Sequence, residues 1–146
     1  MTTVKLNELS NFIQEKIPQK PTLILLSGPL GSGKTTFSRT LLASLGLKSQ
    51  SPTYVLINQF ENINYKAYHL DLYRLTEKEL NPELYFELQD IIHDESAYCL
   101  IEWPEKLQEF QIQIKRPYIL LNLSHTGNDE ERAITCQEVN DQHLDH

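Results

Sequence analysis

The sequence predicts an α/β fold, in which a mostly parallel central sheet is flanked by helices and extended by antiparallel strands. The first observation is a pair of short, wholly apolar runs at residues 23–26 and 98–101. Runs of this length are typical of strands that are buried on both faces, as in a parallel sheet. The second observation is that segments with helical periodicity alternate with the strand-like segments, which is typical of helices packed against such a sheet.

The N-terminal third of the chain contains two predicted helices. Leu6, Leu9, Ile13 and Ile17 recur at spacings of three and four residues and predict an amphipathic helix that ends before Pro18. A second apolar stripe, at positions 37, 41, 42 and 45, predicts a helix that begins near residue 35. The glycine at position 46 is suited to the left-handed residue that follows a helix end.

The remainder of the chain predicts strands and one further helix. Residues 54–60 and 65–70 favour two strands joined by a turn at 62–64, and residues 118–123 and 132–138 favour a hairpin across residues 126–129. Residues 76–89 favour a helix in which Thr76 is the cap, Glu79 completes the capping pattern and Pro82 starts a new turn. We therefore predict one domain over residues 1–139 and an acidic C-terminal tail over 140–146.

Composition excludes several classes of protein. The 146 residues include 13 Lys or Arg and 20 Asp or Glu, for a net charge of −7, which disfavours a basic surface for nucleic acid. No apolar run approaches the ~20 residues that span a bilayer, so no membrane association is predicted. The N-terminus lacks the pattern of a secretory signal, and two cysteines are too few for a disulfide framework. We expect a cytoplasmic protein with reduced thiols.

One motif carries the chemistry. The segment Gly-Pro-Leu-Gly-Ser-Gly-Lys-Thr at residues 28–35 follows the apolar run and matches the phosphate-binding P-loop, G-x-x-x-x-G-K-[ST]. Glycines allow backbone N–H groups to approach phosphate oxygens, and the N-terminus of the next helix attracts the anion. Lys34 is expected to neutralise the β- and γ-phosphates, and the Thr35 hydroxyl to bind Mg²⁺. The motif therefore favours a site for a nucleoside triphosphate. The alternative, a glycine-rich turn that binds no ligand, is disfavoured.

Hydrolysis would require a further carboxylate near the metal and a group that orients water. Glu102 directly follows the apolar run at 98–101, where the Walker-B acid of a P-loop protein is expected, and Asp71 ends the strand predicted at 65–70. Thr53, on the turn just before the strand predicted at 54–60, is either a strand-entry residue or a switch threonine that senses the γ-phosphate. Trp103, the single tryptophan, is either a core residue or a neighbour of the nucleotide.

Four segments together resemble the TsaE (YjeE) family, in the family's order and spacing. They are residues 28–36 (GPLGSGKTT), 51–54 (SPTY), 69–75 (HLDLYRL) and 101–105 (IEWPE), and the resemblance extends over nearly the whole chain. It implies the ATPase component of bacterial threonylcarbamoyladenosine synthesis, a modification of the adenosine next to the tRNA anticodon. It further implies ATP as substrate, Mg²⁺ as cofactor and the TsaD–TsaB pair as partner, which hydrolysis resets between turnovers. Transfer RNA would be reached only indirectly, through that complex.

The resemblance also implies roles for individual residues. It assigns magnesium to Thr35 and Glu102, with Glu102 binding either the ion or its water, and it assigns assistance of magnesium or water to Asp71 and the switch role to Thr53. The residues that it places around ATP are Gly28, Gly31, Ser32, Gly33, Lys34, Thr35, Thr36, Trp103 and Arg132. Pro29 departs from the family, in which an acid is common at that position.

Two other functions stay open from the sequence. A small-molecule kinase on the same scaffold would need an acceptor pocket and an arginine-rich lid, whereas the four arginines, at 39, 74, 116 and 132, do not cluster. A nucleotide-gated binding module would hydrolyse ATP only incidentally. The adenine contacts are expected around residues 3–6.

Overall fold

A computed structural model describes residues 1–47 and 56–140 of the chain. Within these residues, seven strands form one sheet in the order β1-β7-β6-β2-β5-β4-β3. The strands are Thr2–Lys5 (β1), Leu23–Ser27 (β2), Ile57–Glu61 (β3), Lys66–Asp71 (β4), Tyr98–Glu102 (β5), Tyr118–His125 (β6) and Glu131–Val139 (β7). The helices are Leu9–Lys16 (α1), Lys34–Ser44 (α2), Pro82–Ile92 (α3) and Glu105–Glu109 (α4), and a 3-10 turn at Leu6–Glu8 precedes α1.

The centre of the sheet is parallel, as predicted. Strand β2 pairs in parallel with β5 and β6, and β5 pairs in parallel with β4. The antiparallel pairs, β3–β4, β6–β7 and β1–β7, extend the two sides of the sheet. Because parallel strands end at the same edge, the last residues of β2, β4 and β5 lie close together, and Asp71 is opposite Glu102 in register. None of the described helices has the length and apolarity that a membrane span requires.

Each face of the sheet buries its own apolar cluster. Ile24, Leu26 and Leu100 pack on the side covered by α1 and α2. Leu25 and Ile101, from the same strands, pack with α3 and α4 on the other side. Burial on both faces is the physical reason why the central strands read as uninterrupted apolar runs.

Helix α2 ends as the glycine predicts. Gly46 has φ +76°, and its N–H donates to the Ala43 carbonyl over 3.0 Å. The N–H of Leu47 donates to the Leu42 carbonyl over 2.9 Å. These two bonds form a Schellman motif, which satisfies the last carbonyl groups of the helix.

The third helix begins six residues later than predicted. The side chain of Asn81 accepts a hydrogen bond from the Leu84 N–H over 2.8 Å, and Pro82 occupies the first helical turn, so the cap is Asn81. The Thr76 hydroxyl instead donates to the Glu79 carboxylate over 3.1 Å within a separate turn. The capping-box pattern thus closes a turn here, and α3 continues beyond residue 89 to Ile92.

One further difference concerns the N-terminus of the chain. Residues 2–5, which carried no predicted element, form β1 by pairing with β7, so this strand depends on a partner that is distant in sequence. Both predicted hairpins are confirmed as β3–β4 and β6–β7. The first two residues of the strand predicted at 54–60, and residues 141–146 of the predicted tail, lie outside the described residues.

Candidate active site

The loop between β2 and α2 depends on glycine. Gly28 has φ +148°, and a Cβ at this position would lie 2.3 Å from the Leu123 carbonyl oxygen. Gly33, the residue before α2, has φ +103° and lies in the left-handed region. A side chain would therefore be strained at both positions, which accounts for the glycines of the motif.

Lys34 is buried among the loop carbonyls, with 5% of the residue exposed. Its Nζ donates to the carbonyl oxygens of Gly28 over 2.5 Å and Pro29 over 3.0 Å, and it lies 4.0 Å from the centre of the Trp103 ring. Burial lowers the pKa of Lys34, and the carboxylates of Glu102, Glu105 and Asp71 act in the opposite direction. The ammonium group of Lys34 is therefore poorly hydrated, and an anion bound next to it would interact with it strongly.

Thr35 and Glu102 meet at the N-terminus of α2. The Thr35 hydroxyl donates to Oε1 of Glu102 over 2.9 Å and lies 3.2 Å from Oε2. Glu102 is the last residue of β5 and is only 2% exposed. Both groups present oxygen atoms, and Mg²⁺ is bound in proteins by carboxylates and, in P-loop sites, by this type of hydroxyl.

His69 contacts the same carboxylate, although the sequence motifs did not assign His69 to the site. Its Nε2 lies 2.5 Å from Oε2 of Glu102, and His69 is 4% exposed. One signal could have found this residue. Side chains alternate along a strand, so His69 shares a face of β4 with Asp71, two positions later. A histidine on that face, inside a buried strand, is placed to contact the acid at the end of the neighbouring strand.

These groups line a pocket of about 270 Å³ at the carboxyl edge of the parallel strands. Asp71 and Trp103 border it beside Glu102. The Trp103 ring lies 4.8 Å from that of Tyr73, which the sequence had not singled out. Leu6 also lines the pocket, at the end of the stretch 3–6 where adenine contacts were expected. The P-loop residues on the pocket wall are Leu30, Gly31, Ser32, Gly33, Lys34, Thr35 and Thr36.

Arg132 supports the P-loop from β7. Its Nε donates to the Ser32 carbonyl over 3.1 Å, and a terminal nitrogen of the guanidinium donates to the Gly31 carbonyl over 3.4 Å. Arg132 also lines the pocket. Because its bonds are to carbonyl oxygens of the loop, Arg132 ties β7 to the segment that contains Gly31 and Ser32.

The donor set suits a bound phosphate and magnesium. The Ser32 hydroxyl is buried and has no hydrogen-bond partner among the described residues, which is unfavourable unless a ligand oxygen provides one. Over residues 1–47 and 56–140, no group of three His, Cys, Asp or Glu side chains is arranged to hold a metal ion. A magnesium ion that takes phosphate oxygens and water as its other ligands needs only one or two protein oxygens, such as those of Thr35 and Glu102.

The structure thus brings together nearly all the residues that the sequence selected. Lys34, Thr35, Asp71 and Glu102 converge on one pocket, with Trp103 and Arg132 beside them. Gly28 is not on the pocket wall and lies under the loop against β6. Thr53 lies outside the described residues, so its switch role stays a prediction.

Comparison with known proteins identifies the family of this chain. The family model described as "Threonylcarbamoyl adenosine biosynthesis protein TsaE" matches residues 2–134. The chain belongs to the TsaE family. A TsaE of Haemophilus influenzae is 41% identical over 122 residues, which cover 82% of this chain and 73% of that protein. A TsaE of Synechocystis is 37% identical over 115 residues, which cover 74% and 71%.

Both TsaE relatives are named tRNA threonylcarbamoyladenosine biosynthesis proteins, so the resemblance found in the sequence motifs is confirmed. The crystal structure of Bacillus subtilis YdiB matches this chain with a TM-score of 0.67 over 99% of this chain and 90% of that one. At 21% identity, this second likeness supports the fold alone.

Proposed function

We propose that this TsaE chain is a magnesium-dependent ATPase that acts in tRNA threonylcarbamoyladenosine biosynthesis as a partner of the TsaD–TsaB pair. The observation that carries the proposal is the convergence of Lys34, Thr35 and Glu102 on one pocket behind a P-loop. Family membership supports the pathway, since TsaE proteins are named for it.

Phosphate binding would use the loop and the start of α2. The backbone N–H groups in the first turn of α2 and the unpartnered Ser32 hydroxyl are available to phosphate oxygens. Lys34 exchanges its bonds to the Gly28 and Pro29 carbonyls for bonds to the β- and γ-phosphates. That exchange is favourable because a buried ammonium gains a charged partner in place of neutral carbonyls.

Hydrolysis would use the acidic side of the pocket. Thr35 and Glu102 would hold Mg²⁺, which when bound would neutralise charge on the phosphate oxygens. Asp71, opposite Glu102 in register, orients the water that attacks the γ-phosphorus. The new bond joins the water oxygen to the γ-phosphorus, and the bond to the bridging oxygen breaks to release ADP.

The partner would supply what the pocket lacks. Among the described residues that line it, only Lys34 and Arg132 carry positive charge, and Arg132 is bonded to loop carbonyls. An additional arginine at the transferring phosphoryl group is worth about 10³–10⁵ in rate. We therefore expect low intrinsic turnover and stimulation by TsaD–TsaB. The net charge of −7 agrees with an indirect relation to tRNA, through that complex.

The test is phosphate release from ATP by the purified chain, with and without saturating TsaD–TsaB. We expect slow release that requires Mg²⁺ and rises when the pair is added, while the Lys34→Ala variant shows neither. An unchanged rate at saturating partner would remove the stimulation from the proposal. Tight, nucleotide-dependent binding of the pair without faster release would favour the gated module, and transfer of phosphate to a small acceptor would favour the kinase.

A further inference from the structure

A buried hydrogen bond lies directly behind the pocket, between His69 and Glu102. Nε2 of His69 is 2.5 Å from Oε2 of Glu102, and the two side chains are 5% and 3% exposed. Glu102 lines the pocket, whereas His69 does not. His69 therefore does not reach a ligand bound there, and any influence it has on the chemistry passes through Glu102.

Strand register explains why these two residues meet. In the parallel pair of β4 and β5, His69 is opposite Leu100 and Asp71 is opposite Glu102. Residues at alternate positions share a face, so His69, Asp71 and Glu102 all face α2. Glu102 thus lies between the histidine of the neighbouring strand and Thr35 of the covering helix.

The contacts of Glu102 fix the plane of its carboxylate. The terminal torsion of a glutamate side chain is soft, so one hydrogen bond leaves the carboxylate free to rotate. Here Thr35 contacts both oxygens from α2, and His69 contacts Oε2 from β4. Two supports on different elements hold Oε1 beside the Thr35 hydroxyl. They also provide the hydrogen bonds that a buried carboxylate needs.

We propose that His69 is a positioning residue that orients the Glu102 carboxylate for magnesium beside Thr35. The inference rests on the proposed function, because it assumes that Glu102 serves Mg²⁺. His69 donates through Nε2–H to Oε2, which leaves Oε1 for the ion or its water. Residues that orient metal ligands in this way are worth about 10–100-fold in metal affinity or activity.

The experiment compares two variants that differ in the reach of one amide. In His69→Gln, the side-chain NH₂ replaces Nε2 at about the same distance from the backbone, whereas in His69→Asn it stops at the level of Nδ1. Calorimetric titration with ADP, in saturating Mg²⁺ and in EDTA, gives the tightening that the metal confers. We expect His69→Asn to reduce this tightening by about 10–100-fold with affinity in EDTA unchanged. We expect His69→Gln to restore most of it.

Repeating the measurement in a Glu102→Ala chain separates a positioning role of His69 from a purely structural one. If His69 acts through Glu102, His69→Asn has no additional effect on the metal-dependent tightening in a Glu102→Ala chain. Thermal unfolding checks that each variant is folded. If His69→Asn is not, His69→Leu removes the donor while keeping more of the buried volume.

Three results would overturn the positioning role: an unchanged magnesium effect in the Asn variant, equal losses with and without the metal, or a further loss in the Glu102→Ala background. Failure of the proposed function looks different. In that case the unmodified chain itself binds ADP no more tightly with Mg²⁺, or does not bind it at all. A normal magnesium response in the unmodified chain and in His69→Asn alike would remove only the role of His69.

Discussion

The two faces of the central sheet are built from the same strands and differ in what they contain. Facing α1 and α2, strands β4 and β5 end in polar groups: His69, Asp71 and Glu102. Facing α3 and α4, the intervening positions are apolar or weakly polar and buried, as Leu70 and Ile101 show. Adjacent residues of one strand thus belong to different environments. A substitution on one face is expected to affect chemistry, and a substitution on the other to affect stability.

The polar character of the first face is confined to the strand ends. Leu100 lies two residues before Glu102 on the same face and is fully buried in the apolar cluster under α2. The change from apolar to polar takes place within one alternation of β5, at the carboxyl edge where the P-loop begins. This edge is where an open α/β sheet can bind a ligand without opening its core.

The largest expected effect is that of Lys34→Ala on the polar face. The change would remove the two charge-assisted contacts to phosphate that we propose for Lys34, each worth about 1.5–3 kcal/mol. Nucleotide affinity should therefore fall by about 10²–10⁴-fold, and hydrolysis should be lost. Lys34→Ala removes two hydrogen bonds to loop carbonyls, but it also relieves the desolvation that lowers the pKa of Lys34, so we expect little change in the melting temperature. Calorimetry and thermal unfolding of one preparation check both parts.

Glu102→Ala should separate binding from hydrolysis on the same face. The loop, Lys34 and α2 remain, so nucleotide binding in EDTA should persist. Phosphate release should fall by at least about 100-fold, since residues that merely orient metal ligands are already worth 10–100-fold. Single-turnover phosphate release at saturating ATP and Mg²⁺ is the measurement, and a rate equal to that of the unmodified chain would contradict the role of Glu102.

Ile101→Ala, one residue earlier, should have the opposite profile. Ile101 is fully buried in the cluster under α3, and truncating such a side chain costs about 2–5 kcal/mol of the free energy of unfolding. Nucleotide affinity of the folded fraction should remain unchanged. Denaturant unfolding and calorimetry provide the two readouts. A large loss of affinity with normal stability would show that the two faces are not separated in this way.

The smallest expected effect concerns Cys99, on the apolar face. Burial raises the pKa of its thiol to about 12, whereas Cys136 is exposed on β7. A thiol-specific reagent at neutral pH should modify Cys136 in the folded chain and reach Cys99 only after unfolding. Mass spectrometry after proteolysis identifies the labelled cysteine, and rapid labelling of Cys99 in the native state would contradict its burial.

The raised pKa of Cys99 also makes the free energy of unfolding depend on pH. Between the ordinary pKa of 9.0 and the folded value of about 12, the unfolded chain has lost a proton that the folded chain keeps. Stability contributed by the neutral thiol is therefore present below pH 9 and decreases as the pH rises through this window. When the pH is raised from 8 to about 10.5, the free energy of unfolding should decrease less for Cys99→Ala than for the unmodified chain. Denaturant unfolding at each pH is the measurement.

Much of the fold could be predicted because its signals are local. The apolar runs of β2 and β5, the stripe of α2 and Gly46 after it depend on burial and backbone geometry within a few residues. The errors arose where local signals compete or are absent. Thr76 and Glu79 form a capping pattern, but Asn81 followed by Pro82 provides the cap that begins α3. Strand β1 has only four residues, and its pairing with β7 brings together positions about 130 residues apart.

The sequence by itself determined which residues are candidates for the proposed chemistry. Gly28, Lys34 and Thr35 are recognisable because phosphate binding restricts both residue types and spacing, and the segments around Asp71 and Glu102 carried the resemblance to the TsaE family. Only the tertiary structure decided which groups face one another. Strand register and the packing of α2 against the sheet placed His69 and Thr35 on either side of Glu102, and β7 brought Arg132 to the P-loop. Such contacts depend on register and alternation across distant segments, and a linear motif does not encode them.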